Sequence, residues 1–142
     1  MTQYIKRTAR LFLGLLIMAL GLVLTVRADI GLAPWPALAI GCSHLTGASF
    51  GSMMIATSLL IVIIALLLKE KLGFATIFNA VLIGAFIAII EKIDLIPFMP
   101  NFLLGLTVLL LGLLLMSLGT YCYISAGLGC GPRDALMVAL GK

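Results

Sequence analysis

Two apolar stretches, LGLLIMALG from Leu13 to Gly21 and LGLLLMSLG from Leu111 to Gly119, decide the fold class of this chain. Each belongs to a longer run without a charged residue, and two further runs lie between them. A helix needs about 20 residues to cross the roughly 30 Å of bilayer hydrocarbon. The sequence therefore predicts an all-α, multi-pass membrane protein with four full spans and a short, broken terminal helix. The uncharged runs are Leu11–Val26, Ser49–Leu68, Leu72–Ile90 and Phe102–Ser125. The first reaches full span length when it includes Thr8 to Arg27, whose end charges can extend to the headgroups.

The composition of the 142 residues supports this class, because 63 % are hydrophobic and only 10 % are charged. So few charges cannot cover the surface of a soluble domain, and so much apolar side chain excludes disorder. The three cysteines form no paired spacing, so a disulfide scaffold is excluded as well. The net charge is +4, but the sequence contains no basic stripe with interleaved aromatic residues. We therefore expect no nucleic-acid partner.

The lysines and arginines predict the orientation, because cytoplasmic loops carry an excess of them. The tail before the first span and the loop at 69–71 together hold five, whereas the two loops on the other side hold only Arg27 and Lys92. We therefore expect a cytoplasmic N-terminus and residues 69–71 in the cytoplasm. The five are Lys6, Arg7, Arg10, Lys69 and Lys71.

An internal repeat relates the first span to the fourth at an offset of 98 residues. Without gaps, 13 of the 28 residues from 11 to 38 recur 98 positions later, including Gly31 as Gly129 and Pro34 as Pro132. Three spans separate each residue from its counterpart, so the two copies have opposite orientations. We predict a first repeat over 1–98, with three spans and a broken segment at 29–41, and a partial second repeat over 99–142. Inverted repeats are typical of many transporter folds.

The segment after each copy's first helix is interrupted by glycine and proline. Glycine permits a break in the span, and Pro34 and Pro132 suit the first position of a new helix. With Gly41 and Gly141 expected to end these helices, each is about ten residues long, or roughly 15 Å. Short, interrupted segments at matching positions indicate a transporter's binding site. The alternative is an ordinary interfacial helix that leads into the next span.

The stretch GLGCGPRDALM from Gly127 to Met137 resembles the second-repeat signature of the bacterial YczE/YyaS/YitT-like membrane proteins. The stretch DIGLAPW from Asp29 to Trp35 resembles its first-repeat counterpart, and the resemblance covers nearly the whole chain. It implies a multi-pass protein of the bacterial cytoplasmic membrane and implies no catalytic residues. Two departures are Pro36, where the family often has an acidic residue, and the relatives' continuation well past this point.

Charged residues beside the glycines and prolines are the candidates for binding a substrate or ion. Arg133 suits an anion or a lipid phosphate, and Asp134 suits the positive end of a helix dipole. Arg27 and Asp29 occupy the other repeat, and for both pairs the alternative is a helix cap with an interfacial anchor. The full candidate set is Gly129, Gly131, Pro132, Arg133, Asp134, Gly31, Pro34, Trp35, Arg27 and Asp29.

No residue pattern indicates an enzyme, a metal site or a cofactor. Two hypotheses about function remain: a transporter or permease-like protein with its site at the broken segments, or a non-transporting scaffold or accessory protein that binds a partner or lipid. Besides the lipid bilayer, we expect either a homo-oligomer or a partner membrane subunit. The reason is that a second repeat ending near the counterpart of His44 would leave faces such as the Gly112–Gly119 row uncovered.

Overall fold

The computed structural model describes residues 2–68, 74–94 and 96–127, and this part of the chain is helical. Four of its helices are long and apolar enough to cross a membrane. This confirms the predicted all-α, four-span architecture, while the predicted terminal helix lies outside the described residues. The helices are α1 (Thr2–Arg27), α2 (Pro34–Thr46), α3 (Phe50–Leu67), α4 (Phe74–Ile93) and α5 (Phe102–Ser125).

The second helix, α2, begins as the sequence predicted but ends later. Pro34 occupies its first position, where the missing N–H removes no helical hydrogen bond. Gly41 lies inside α2, so the prediction that it ends the helix was wrong. The helix ends instead at Gly47, whose left-handed φ of 72° allows its N–H to bond the carbonyl of Ser43. At 13 residues, α2 is about 20 Å long rather than 15 Å.

Glycines hold α1 and α5 at backbone contact along one seam. A Cβ atom on Gly119 would lie 2.7 Å from the carbonyl oxygen of Gly14, and one on Gly112 would lie 2.8 Å from that of Gly21. The residue number falls along α5 as it rises along α1, so the two helices run antiparallel. Small residues permit this close approach of membrane helices. The Gly112–Gly119 row is therefore covered by α1, and the expectation that it lies uncovered was wrong.

The contacts across this seam are symmetric between the two repeats. When each residue of α1 is replaced by its equivalent 98 positions later on α5, and the reverse, each backbone contact of these four glycines becomes another observed contact. A Cβ on Gly21 would meet the Met116 amide nitrogen at 2.8 Å, and one on Gly119 would meet that of Met18 at 2.7 Å. Likewise, a Cβ on Gly14 would meet the Tyr123 nitrogen at 2.7 Å, and one on Gly112 would meet that of Thr25 at 3.1 Å. In each comparison the two glycines differ by 98 in number, and so do the two residues that they meet. The α1–α5 interface is therefore close to self-complementary.

The α4 helix packs on α1 and α3 and runs in the same direction as α1. Phe12 contacts Phe78 edge to face at one end, and Arg27 pairs with Asp94 at the other. A Cβ atom on Gly84 of α4 would meet the carbonyl oxygen of Gly51 on α3 at 2.7 Å, so these two glycines permit close packing of α3 and α4. The buried core centres on α1 and includes Leu11, Leu15, Ala19, Leu22, Val23, Met54, Ile83, Ile87 and Tyr123.

Candidate functional site

Charged and aromatic side chains meet where α1 and α4 end, at a place we call the Arg27 end. The guanidinium of Arg27 donates a hydrogen bond of 2.8 Å to the carboxylate of Asp94 and lies 4.6 Å from the centre of the Phe98 ring. The Arg27 side chain is only 14 % exposed, whereas that of Asp94 is 73 % exposed. A guanidinium suits this position because it forms an ion pair and stacks on an aromatic face together.

The last turn of α1 is tied to the segment that precedes α5. The N–H of Met99 donates to the carbonyl of Arg27 at 3.0 Å, and the buried Ala28 places its carbonyl against Gly105. Asp29 then adopts a left-handed conformation with a φ of 54°. This conformation is uncommon outside glycine, although Asp and Asn tolerate it better than most residues. It turns the chain away from α1 at the point where the first span ends.

A small cavity of about 240 Å³ opens between these two segments. Among its described lining residues, Asp29 and Asn101 are the two with polar side chains. Ligand pockets usually enclose about 300–1,000 Å³, so this cavity suits an ion or a very small solute. It is lined by Ala28, Asp29, Ile30, Met99, Pro100, Asn101 and Phe102.

A second polar contact at the Arg27 end caps the start of α3. The hydroxyl of Ser49 accepts a hydrogen bond from the Ser52 N–H, and the Glu91 carboxylate accepts one from the Gly51 N–H. A carboxylate stabilises the positive end of a helix dipole. Glu91 also lies within electrostatic reach of Arg27. The Arg27 end therefore joins α1, α3, α4 and the start of α5 through polar contacts.

Comparison with known proteins places this helical arrangement in a family. Residues 5–142 match the family of unknown function DUF6198. The chain belongs to the DUF6198 family. It is 34 % identical to the uncharacterized membrane protein YczE of Bacillus subtilis over 97 % of this chain and 64 % of YczE. It is also 34 % identical to an uncharacterized protein of Haemophilus influenzae over 98 % of this chain and 63 % of that protein.

A third relative, the uncharacterized protein YyaS of Bacillus subtilis, is 30 % identical over 90 % of this chain and 65 % of its own length. The chain thus spans slightly less than two thirds of each of these relatives. No solved structure matches it. These matches confirm the resemblance to the YczE and YyaS proteins and, with the apolar helices, show that this DUF6198 chain is a membrane protein.

The structure brings together only part of the candidate set. Arg27 and Asp29 both lie at the Arg27 end, but Arg27 pairs with Asp94 and Asp29 lines the cavity. Gly31, Pro34 and Trp35 are not among the described residues that line this cavity. Pro34 is exposed at the start of α2, and Trp35 is half-buried on it. Gly129, Gly131, Pro132, Arg133 and Asp134 lie outside the described residues.

Sequence reasoning missed Asp94, Phe98 and Glu91 as parts of this site. Asp94 and Glu91 follow the third predicted span, where charges are usually assigned to the headgroup region. The direction of the spans could have identified this pair. The first and third predicted spans end on the same side of the membrane, so Arg27 and Asp94 lie at the ends of neighbouring parallel helices. Phe98, in an irregular segment, carried no comparable signal.

Proposed function

We propose that this DUF6198 protein is a transporter or permease-like protein of the bacterial cytoplasmic membrane with an inverted internal repeat and a cytoplasmic N-terminus. The observation that carries this proposal is the exchange of contacts across the α1–α5 seam. Gly21 meets Met116 as Gly119 meets Met18, at the 98-residue offset of the sequence repeat. Pseudo-two-fold pairs of oppositely oriented helices are a recurring feature of secondary transporters.

The interrupted segment between α1 and α2 supports the same function. Residues 28–33 lie between two helices without belonging to either, and their start forms one wall of the cavity at Asp29. Non-helical backbone near membrane depth is tolerated where it lines a cavity or is buried in protein. We infer that this segment contributes to a binding site, and we assign Asp29 to it as the charged group.

The cavity favours a small inorganic cation as the transported species. Its volume is about 240 Å³, and its described lining residues include one that bears a carboxylate, Asp29, and one that bears an amide, Asn101. The nearby guanidinium of Arg27 is engaged by Asp94 and Phe98. Oxygen atoms from carboxylates and amides are the ligands that hard cations prefer.

A non-transporting scaffold that binds a partner or lipid is the second candidate. The observation that favours it is the closed seam, because α1 and α5 touch backbone to backbone without space for a pore between them. The two candidates differ in whether ions cross a membrane that contains only this protein.

Reconstitution into liposomes tests the proposed transport. We expect this chain and full-length YczE, assayed in parallel, to carry Na⁺ or K⁺ and not chloride or nitrate, and we expect Asp29→Asn to remove at least about nine tenths of the flux. Asparagine tolerates the left-handed backbone of Asp29, so the variant changes the charge and leaves the turn in place. Flux is measured with ion-sensitive dyes and normalised to the reconstituted protein.

The control is Lys92→Met, which removes an exposed charge from the last turn of α4 without touching the cavity or the pair of Arg27 and Asp94. We expect it to retain most of the flux. Equal loss in both variants would show that the flux does not depend on Asp29 specifically. No flux of any of the four ions in either protein would favour the scaffold.

A further inference from the structure

One face of α5 is open in the structure although the equivalent face of α1 lies in the buried core. The open face forms a groove of about 700 Å³. We call it the α5 groove. Its described lining residues all belong to α5 and are Leu113, Met116, Ser117, Thr120, Tyr121, Ile124 and Ser125.

Subtracting the repeat offset of 98 maps every one of these residues onto the core-facing side of α1. Leu113 becomes Leu15, which is 0 % exposed rather than 47 %, and Tyr121 becomes Val23, which is 3 % exposed rather than 72 %. The seven equivalents are Leu15, Met18, Ala19, Leu22, Val23, Val26 and Arg27. On α1 this side is covered by α4, whose Ile83 and Ile87 join the same buried cluster, and it borders the seam with α5 at Met18.

The lipid-facing sides of the two helices, in contrast, are alike. Leu13 is 55 % exposed and its equivalent Leu111 is 51 % exposed, while Leu16 and Leu114 are 44 % and 56 % exposed. The difference between α1 and α5 is therefore confined to the side on which α1 is covered by α4. A general looseness of α5 would have exposed all its sides more than those of α1.

The chemistry of the α5 groove also differs from that of a lipid-facing surface. Ser117 and Thr120 stand in it where α1 has Ala19 and Leu22. Their hydroxyls donate to the carbonyls of Leu113 and Met116 within the same helix. Small and hydroxyl-bearing residues are enriched where membrane helices pack against one another.

We propose that the α5 groove binds a transmembrane helix that covers α5 as α4 covers α1. Because α4 runs parallel to α1, this helix runs parallel to α5, from the Arg27 end towards the opposite end. In the repeat numbering it corresponds to positions 172–191, which lie 98 positions after the bounds of α4. We assign it to the third of YczE that lies outside the match with this chain.

A second copy of this chain does not offer α4 in the required direction. Inserted with the same orientation, its α4 again runs parallel to α1 and therefore antiparallel to α5. The five-to-two distribution of lysine and arginine favours a single orientation. The proposal rests on the α1–α5 exchange and not on transport, so a negative flux assay leaves it standing and a positive one does not establish it.

Disulfide cross-linking in full-length YczE tests the proposal. One cysteine replaces the residue aligned with Ser117, and a second is moved through four consecutive positions of the helix that corresponds to α4 in the second repeat. The matched control cysteine replaces the residue aligned with Leu118, which is exposed on another side of α5. Native cysteines are first replaced by serine, and linked peptides are identified by mass spectrometry after oxidation in the membrane.

We expect the groove cysteine to form an intramolecular disulfide with at least one of the four positions, roughly fivefold more efficiently than the control, because disulfides need Cα atoms within about 7 Å. A disulfide between two copies through the groove cysteine would overturn the proposal in favour of a dimer. Equal, low cross-linking of groove and control cysteines would overturn it in favour of a groove that faces lipid.

Discussion

Substituting alanine for Gly119 is expected to destabilise the protein by about 2–3 kcal/mol, because it overpacks a backbone contact between α1 and α5. The added Cβ would lie 2.7 Å from both the Gly14 carbonyl oxygen and the Met18 amide nitrogen. These are backbone atoms, so a side chain cannot rotate away and the helices themselves must separate. The exchange of contacts predicts that Gly21→Ala causes a similar loss, since Gly21 is the repeat equivalent of Gly119.

Gly41→Ala is the matched control for this prediction. Gly41 lies inside α2 with no heavy atom within 4 Å of an added Cβ. Alanine is the better helix former by about 1 kcal/mol, so we expect unchanged or increased stability. Thermal unfolding in mild detergent, followed by circular dichroism and size-exclusion chromatography, measures all three variants. Equal stability of Gly119→Ala and Gly41→Ala would contradict a close α1–α5 seam.

Breaking the pair of Arg27 and Asp94 is expected to cost about 1–2 kcal/mol, between the values typical of surface and buried ion pairs. Arg27 is largely buried against Phe98, so Asp94→Asn leaves a poorly solvated charge with a weaker partner. Arg27→Met should cost more, because it also removes the stacking on Phe98. In a double-mutant cycle we expect the double variant to be less destabilised than the sum of the single variants.

Lys92→Met is the control for this cycle, since Lys92 is an exposed cation in the last turn of α4. We expect it to change stability by less than about 0.5 kcal/mol. Additive effects of Arg27→Met and Asp94→Asn would show that the two side chains do not interact. Such a result would show that this ion pair does not link the end of α1 to the end of α4.

The spans were predictable from the sequence because a helix that crosses a bilayer needs about 20 consecutive apolar residues, and helices of soluble proteins rarely contain such runs. The fourth predicted span, Phe102–Ser125, coincides with α5, and Pro34 begins α2 as its fixed φ suggested. The end of α2 was not predictable in this way. Gly41 and Gly47 are both glycines, and only Gly47 adopts the left-handed conformation that ends a helix.

The candidate site was predicted only in part, because its contacts depend on how the helices are arranged. The positions of Arg27 and Asp29 beside a glycine–proline segment indicated a charged helix end. Asp94 and Phe98 join them only because α4 lies parallel to α1. The seam was visible as a glycine repeat, yet the sequence did not show that the row on α5 packs against the row on α1.

Cross-linking across the α1–α5 seam tests the central claim, the self-complementary antiparallel pairing of the two repeats, most directly. The sulfur of Met18 lies 3.8 Å from the hydroxyl oxygen of Thr120. The repeat equivalents of these two residues are Met116 and Leu22. With Cys42, Cys122 and Cys130 replaced by serine, we predict disulfides of similar yield in Met18→Cys/Thr120→Cys and Leu22→Cys/Met116→Cys.

The control pair for this measurement is Ala28→Cys/Ala126→Cys, whose two positions are repeat equivalents at opposite ends of the seam. We predict no disulfide between them. Linkage of this control pair, or linkage of only one of the two seam pairs, would contradict the account.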